Sequence, residues 1–196
     1  MKLRNIKKSR GFTLIEMLVA LAILSMLALL ASSAFDGSRS KAQVMIGLAK
    51  QVGDANMQLK TDTGCYVKNP QALFDQAAAQ VPGNNYCNRT FNNMWARPYM
   101  GQMTVDATGN IIADKIGAGV LVSLEKETGG MGGTGTRYFV RFTDVPMDVV
   151  KQGLVECNND QGTTVAVGDL SKNRCRAGSV TGDQPTTFDM LYDITR

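Results

Sequence analysis

Glu16 is the one ionisable side chain in the 24-residue run from Phe12 to Phe35, which is otherwise built of apolar residues and small hydroxyls. Placing a carboxylate inside a bilayer or a packed apolar core costs about 2.5 kcal/mol or more unless a cation meets it. The chemistry it points to is ion pairing. A second chemistry-bearing set is formed by Cys65, Cys87, Cys157 and Cys175. No CxxC spacing links them and the chain has no histidine, which argues against a zinc centre and rules out a histidine-based triad. No paired carboxylates or activated nucleophile call for an enzyme, so neither a catalytic residue, a metal nor a cofactor is expected.

The elements that must position Glu16 follow from its flanks. Lys2, Arg4, Lys7, Lys8 and Arg10 precede Gly11 with no acidic residue to offset them, which predicts a cytoplasmic N-terminus. The uncharged stretch Met17 to Phe35 would span about 28 Å as a helix, close to the thickness of a bilayer core. A cleaved secretory signal is the plainer alternative, since Ala31, Ser32 and Ser33 offer small residues after the apolar region.

The residues Gly11-Phe12-Thr13-Leu14-Ile15-Glu16, with the run Met17 to Leu30 behind them, resemble the processing site of type IV prepilins. That resemblance implies cutting after Gly11 by a prepilin peptidase on the cytoplasmic side and N-methylation of Phe12, with the helix kept on the mature protein. It also gives Glu16 a partner, the new amine of Phe12 on a neighbouring subunit. It further implies a homo-oligomeric helical filament, a pilus assembly ATPase and an inner-membrane platform, with the inner membrane holding the subunit before assembly.

Charge agrees with this division. The whole chain carries +4, but five of its 21 basic residues lie before Gly11, leaving 16 against 17 acidic ones. The sequence pI near 8.9 is therefore a targeting feature, not a sign of nucleic-acid binding. The four cysteines fall where the topology places the chain outside the cytoplasm, where disulfides persist. Three pairings are open, and short closures favour Cys65 with Cys87 and Cys157 with Cys175, each worth about 3 kcal/mol in the chain-entropy view.

Beyond Phe35 the apolar positions Met45, Leu48, Ala49, Val52, Ala55 and Leu59 predict an amphipathic continuation of the helix to about Thr61, with Gly64 as its stop. Gly37, Gly47 and Gly53 are expected to weaken it and to mark bends. A short helix is predicted over 71–80, ended by Pro82-Gly83-Asn84-Asn85, and the stretch from Cys87 to Tyr99 reads as loop. Strands are expected at 103–105, 111–113, 120–124, 137–142, 163–167 and 186–194, with Ala107 to Asn110 as a turn and Pro146 opening a helix that buries Val149, Val150 and Leu154. The fold class is α+β: a long N-terminal α-helix packed on an antiparallel sheet, the pilin fold. The expected divisions are a leader at 1–11, an apolar helix at 12–35, its amphipathic continuation at 36–62 and a disulfide-closed head at 63–196.

Phe142 to Pro146, the helical stretch after them and Cys157 are similar to type IVb pilins, whereas the short leader and Phe12 are more like type IVa. The proline and glycine frequent in type IVa helices are absent, with Ser25 and Ser33 near those places. Gly130, Gly132 and Gly135 satisfy GxGxxG but lead into a strand, which favours a hairpin loop over a dinucleotide site. Asn88-Arg89-Thr90 fits a glycosylation sequon in a surface loop. Arg137, Phe139 and Arg141 alternate along one strand face, either a solvated outer face or a platform for single-stranded nucleic acid. Asn158, Asn159 and Asp160 suit turn chemistry better than a calcium loop. The functional expectation is a structural subunit of a surface pilus serving adhesion, motility or DNA uptake. Its alternatives are a pseudopilin of type II secretion, in a periplasmic pseudopilus, and an extracytoplasmic binding domain tethered to the membrane.

Overall fold

A computed structural model describes residues 14–34, 37–129, 135–159, 173–178 and 182–195. The chain divides into two compact units, Met1–Gly37 and Ser38–Arg196. The first contains helix α1, Leu14–Ala34, whose 21 residues rise about 31 Å at ~1.5 Å each. Its described side chains, from Ile15 to Ser25, are all exposed, Ile15 at 70% and Leu21 at 63%. Ser25 turns its hydroxyl back onto the Ala22 carbonyl at 2.8 Å, so the polar group is met within the helix. Among the described residues no helix is long and apolar enough to cross a membrane.

Helix α2, Gly37–Thr63, lies in the second unit from its second residue, Ser38, onward. Met45, Ala49, Val52, Ala55 and Leu59 of the predicted stripe are all buried, with Leu48 half-buried beside them, and buried Ala42 extends the stripe one turn earlier than expected. The expected junction with α1 falls on Phe35 and Asp36, outside the described residues. Gly64 ends α2 with φ at +75° and returns its N–H to the Lys60 carbonyl at 2.6 Å. Arg89 donates to the Thr63 carbonyl, placing a cation at the negative end of the helix.

The predicted helix over 71–80 is instead two pieces, a 3₁₀ turn at Pro70–Leu73 and helix α3 at Gln76–Ala79. Asn69 and Asp75 explain the break, because each has extended backbone and accepts an N–H two residues on, at Gln71 and Ala77. Two caps start two elements. Pro82–Asn84 forms a further 3₁₀ turn, and the Cys87 to Tyr99 loop carries another at Asn92–Met94.

Strands β1 (Ile111–Ile112), β2 (Leu121–Thr128) and β3 (Thr136–Val145), helix α4 (Met147–Asn158), and strands β4 (Cys175–Ala177) and β5 (Thr186–Thr195) complete the unit. The strands form one antiparallel sheet in the order β1-β2-β3-β5-β4. The expected strand at 103–105 is reduced to a single bridge, Val105 with Ile111, because Asp106 turns the chain at once. Its carboxylate takes the N–H groups of Thr108 and Asn110, both at 2.9 Å. The expected strand at 163–167 lies outside the described residues. Strand β4 was not expected; three residues show no periodicity, and it is placed by contacts with α4.

Val122, Leu124, Val140, Phe142, Phe188 and Met190 on one sheet face pack with α2 and α4 into the core. A Cβ added at Gly153 of α4 would lie 2.6 Å from Met45 of α2 and 3.1 Å from Phe188 of β5, so the three elements meet there. Gly53 of α2 does the same against β5: its missing Cβ would lie 2.8 Å from Cβ of Tyr192. Gly53 is therefore a point of close approach and not the bend that helix propensity suggests. Gly47, by contrast, has nothing within 4 Å of that position. Gly53→Ala is expected to cost about 1–3 kcal/mol through overpacking against Tyr192, while Gly47→Ala should stabilise by about 0.5–1 kcal/mol through helix propensity. Urea unfolding of the two variants in parallel checks the opposite signs.

Candidate functional site

Gly11 and Phe12, the expected processing pair, lie outside the described residues. Glu16 stands in the first turn of α1. A carboxylate there faces the positive end of the helix, where its charge is favoured. Around it the exposed side chains Ile15, Met17, Leu18 and Val19 are all apolar. A helix apolar all round finds its stable setting in lipid or among other helices.

In the second unit the cysteines meet as two sequential pairs, Cys65 with Cys87 and Cys157 with Cys175. The first fastens the residue after the Gly64 turn to the loop that carries Arg89, so the end of α2 is held covalently and by hydrogen bond. The second ties the last turn of α4 to β4. Asn158 reinforces it in a way the sequence did not reveal: its amide accepts from the Cys175 N–H and donates to the Cys175 carbonyl, both at 3.0 Å. A side chain thus pairs with β4 as a further strand would, which blunts this sheet edge against stray association. Asn159 follows with φ at 53°, the left-handed geometry asparagine tolerates at a helix end. Asp160, the third residue of the considered calcium loop, lies outside the described residues. Among the described residues no cluster of three His, Cys, Asp or Glu could hold a metal.

The face formed by Arg137, Phe139 and Arg141 is more closed than a fully solvated face or an open stacking platform, with Arg141 alone of the three part-exposed. Phe139 is 2% exposed and Arg137 8%. The Arg141 guanidinium lies 5.2 Å from the Phe139 ring centre and that of Arg176 4.9 Å. Both guanidiniums are committed to buried Asp189: Arg141 grips it through two bonds of 2.8 and 2.9 Å, and Arg176 adds one of 2.8 Å. Arg176 also reaches Glu127 at 2.8 Å. The cluster therefore spans β2, β3, β5 and β4 with its charges matched inside the sheet. Alternation along β3 gave the correct face but could not reveal partners on three other strands.

Of the expected GxGxxG glycines only Gly135 is described, joined to Gly129 at the mouth of the β2–β3 hairpin; Gly130 and Gly132 lie outside the described residues. Asn88 of the sequon is exposed with φ at 51°.

At the other end of the inner sheet face Tyr66, Tyr86, Tyr138 and Tyr192 form one aromatic cluster, which sequence reading missed because the four are spread over 126 positions of the chain. Tyr66 donates its hydroxyl to Asp193, and Lys60 approaches the same carboxylate at 3.3 Å. Burial disfavours the Asp193 charge, but the Tyr66 hydroxyl, the Ile194 N–H and Lys60 outweigh it and hold the carboxyl below its ordinary value. Burial, then the Asp193 charge, push the Tyr66 phenol upward.

Residues 6–32 match the family model of the prokaryotic N-terminal methylation motif. No curated protein and no solved structure matches the chain. The matched residues include the whole segment from Gly11 to Glu16 on which the prepilin resemblance rests. The motif supports a prepilin-like N-terminus, of the kind that pilins and pseudopilins share. The α+β architecture, a helical N-terminus followed by a five-stranded antiparallel sheet, is consistent with the pilin fold.

Asp193 also sets a pH dependence. A carboxyl held below its unfolded pKa of about 3.9 contributes stability that is present above that value and lost as pH falls through the folded pKa. Urea midpoints measured from neutral pH down through the carboxylate range should therefore drop in the wild type, and Asp193→Asn should reduce the drop. An unchanged slope in that variant would assign the acid sensitivity to the other lowered carboxyls, Asp106 and Asp148.

Proposed function

We propose that this chain is the structural subunit of a type IV pilus, cut after Gly11, N-methylated at Phe12 and polymerised through its N-terminal helix into an extracellular filament. The observation that carries the proposal is the methylation motif at residues 6–32. The exposure of the described apolar side chains of α1, from Ile15 to Leu24, supports it, since such a surface needs lipid before assembly and other helices after it. Before assembly the helix would sit in the inner membrane, oriented by the five leader cations. Prepilin peptidase, an assembly ATPase and an inner-membrane platform are the partners this reading requires. A type II secretion pseudopilin shares the motif; two disulfides closing a sizeable head favour the surface filament.

Glu16 is assigned to assembly. Opposite charges about 4 Å apart attract by about 4 kcal/mol at an effective dielectric near 20, before desolvation. An incoming helix would be held where its carboxylate meets the amine of a neighbouring Phe12.

Replacing Gly11 by a bulky residue should leave a precursor about 1.2 kDa heavier than the mature protein, eleven residues at the chain's mean residue mass. Intact-mass spectrometry reads this, and a wild-type start between Ala31 and Ser33 would favour a secretory signal instead. Glu16→Gln should still insert in membranes but lose most sheared surface filaments at matched membrane levels. Normal filament number would point to a tethered domain, and filaments confined to the periplasm to a pseudopilin.

A further inference from the structure

The tyrosine cluster has more chemical definition than packing requires. Ring centres of Tyr66 and Tyr138 lie 4.1 Å apart with planes 39° from parallel, the closest aromatic pair among the described residues. Tyr66 is buried at 4% exposure, yet its hydroxyl proton points at a carboxylate, Asp193. Lys60 donates to the same phenol oxygen at 3.0 Å, and its ammonium lies 4.6 Å from the Tyr66 ring centre. Tyr138 touches the other three tyrosines, with Tyr86 at 5.9 Å and Tyr192 at 6.4 Å, and like both of these it is only half-buried. The cluster therefore joins a buried phenol that has a built-in proton acceptor to rings that reach solvent.

We propose that Tyr66 and Tyr138 are an oxidative cross-linking site, coupling into an intramolecular dityrosine when a one-electron oxidant, such as a peroxidase haem or a photo-oxidised metal complex, draws on the cluster. The oxidant takes one electron from Tyr66 while its phenolic proton passes to Asp193. A second equivalent takes an electron from Tyr138, whose proton leaves to water. The two phenoxyl radicals join through ring carbons ortho to oxygen. Each ring then returns its displaced hydrogen to its own oxygen as a proton, which restores both phenols. The pair has lost two electrons and two protons in all, and Asp193 releases its proton to solvent. The new bond would join the segment just past α2, beside the Cys65–Cys87 disulfide, to β3 in the middle of the sheet. It would be a third covalent tie, one that thiol reductants cannot open, in a head exposed to oxidants outside the cell. The inference is independent of filament formation, because every group belongs to one chain.

The test is photo-oxidation of the purified full-length chain in detergent, with a ruthenium polypyridyl complex as one-electron oxidant and persulfate as terminal acceptor. The expected product is a monomer lighter by two hydrogen masses, with dityrosine fluorescence and a cross-linked peptide pair containing Tyr66 and Tyr138. Tyr66→Phe and Tyr138→Phe should each abolish that pair, whereas Tyr86→Phe should leave it. Asp193→Asn keeps a hydrogen-bond acceptor but removes the base, and should slow cross-linking several-fold while circular dichroism remains that of the wild type. A cross-link mapped to other tyrosines, or only between chains, would overturn the proposal. So would a wild-type rate in Asp193→Asn.

Discussion

The approach of α2 to the sheet depends on a buried amide. Asn56 is fully buried in the helix, and its side chain accepts from the Val67 N–H and donates to the Val67 carbonyl, both at 3.0 Å, while also donating to the Tyr192 hydroxyl at 2.8 Å. One side chain thereby does what a strand would do for the segment after Cys65, and fixes the helix on β5. An unpaired amide at that depth would cost roughly 1–3 kcal/mol, so the pairing is specific in register as well as favourable. One turn earlier in α2, Gly53 removes the side chain that would hold the helix away from Tyr192. The tyrosine cluster, the Asp193 network and the closed end of α2 all follow from this seating.

Much of this was legible because it depends on periodicity and local turn chemistry. The α2 stripe from Met45 to Leu59, the stop at Gly64, the strand over 137–142 and the helix after Pro146 are each set by neighbours close in sequence. Asn56 could not be read that way, since a polar residue on the apolar stripe looks like a blemish until Val67 and Tyr192 are folded against it. Alternation identified the face of Arg137, Phe139 and Arg141, but exposure is a property of partners, and those partners are Asp189, Arg176 and Glu127 on other strands. The helix predicted over 71–80 failed for a local reason that was present in the sequence: Asp75 caps forward as Asn69 does, and a second cap inside an apolar pattern restarts the helix.

The candidate site was legible to a different degree. The segment Gly11 to Glu16 carries its signal in residue order, because it lies within a motif matched as sequence over residues 6–32, and no tertiary contact within one chain is needed to recognise it. The cysteine pairing rested on loop closure alone. In the structure each bridge has a polar companion that makes it part of a joint: Arg89 at the end of α2 beside the first, and Asn158 along β4 beside the second. These companions are nonlocal and have no signature in spacing.

The two units are stabilised by unlike means, and that difference bears on function. Residues 38–196 contain a buried core, two disulfides and an internally matched charge cluster, so the head has its stabilising contacts within one chain. Helix α1 is the reverse case: its apolar side chains from Ile15 to Leu24 are exposed, at more than half for Ile15, Met17, Leu18, Val19, Leu21, Ile23 and Leu24. Burying such side chains is worth roughly 1.5–3 kcal/mol each, a gain that lipid and then other copies would supply in the proposed assembly. A helix apolar on every side can take neighbours on every side, which suits heterologous contacts that repeat without closing into a ring. Hydrophobic burial alone leaves the longitudinal register loose, since sliding by a turn exchanges one leucine for another. In the proposed filament a single carboxylate at Glu16 would penalise every register that leaves it unpaired. That is why the one charged residue in the run, and not its many leucines, is where the position of a subunit would be decided.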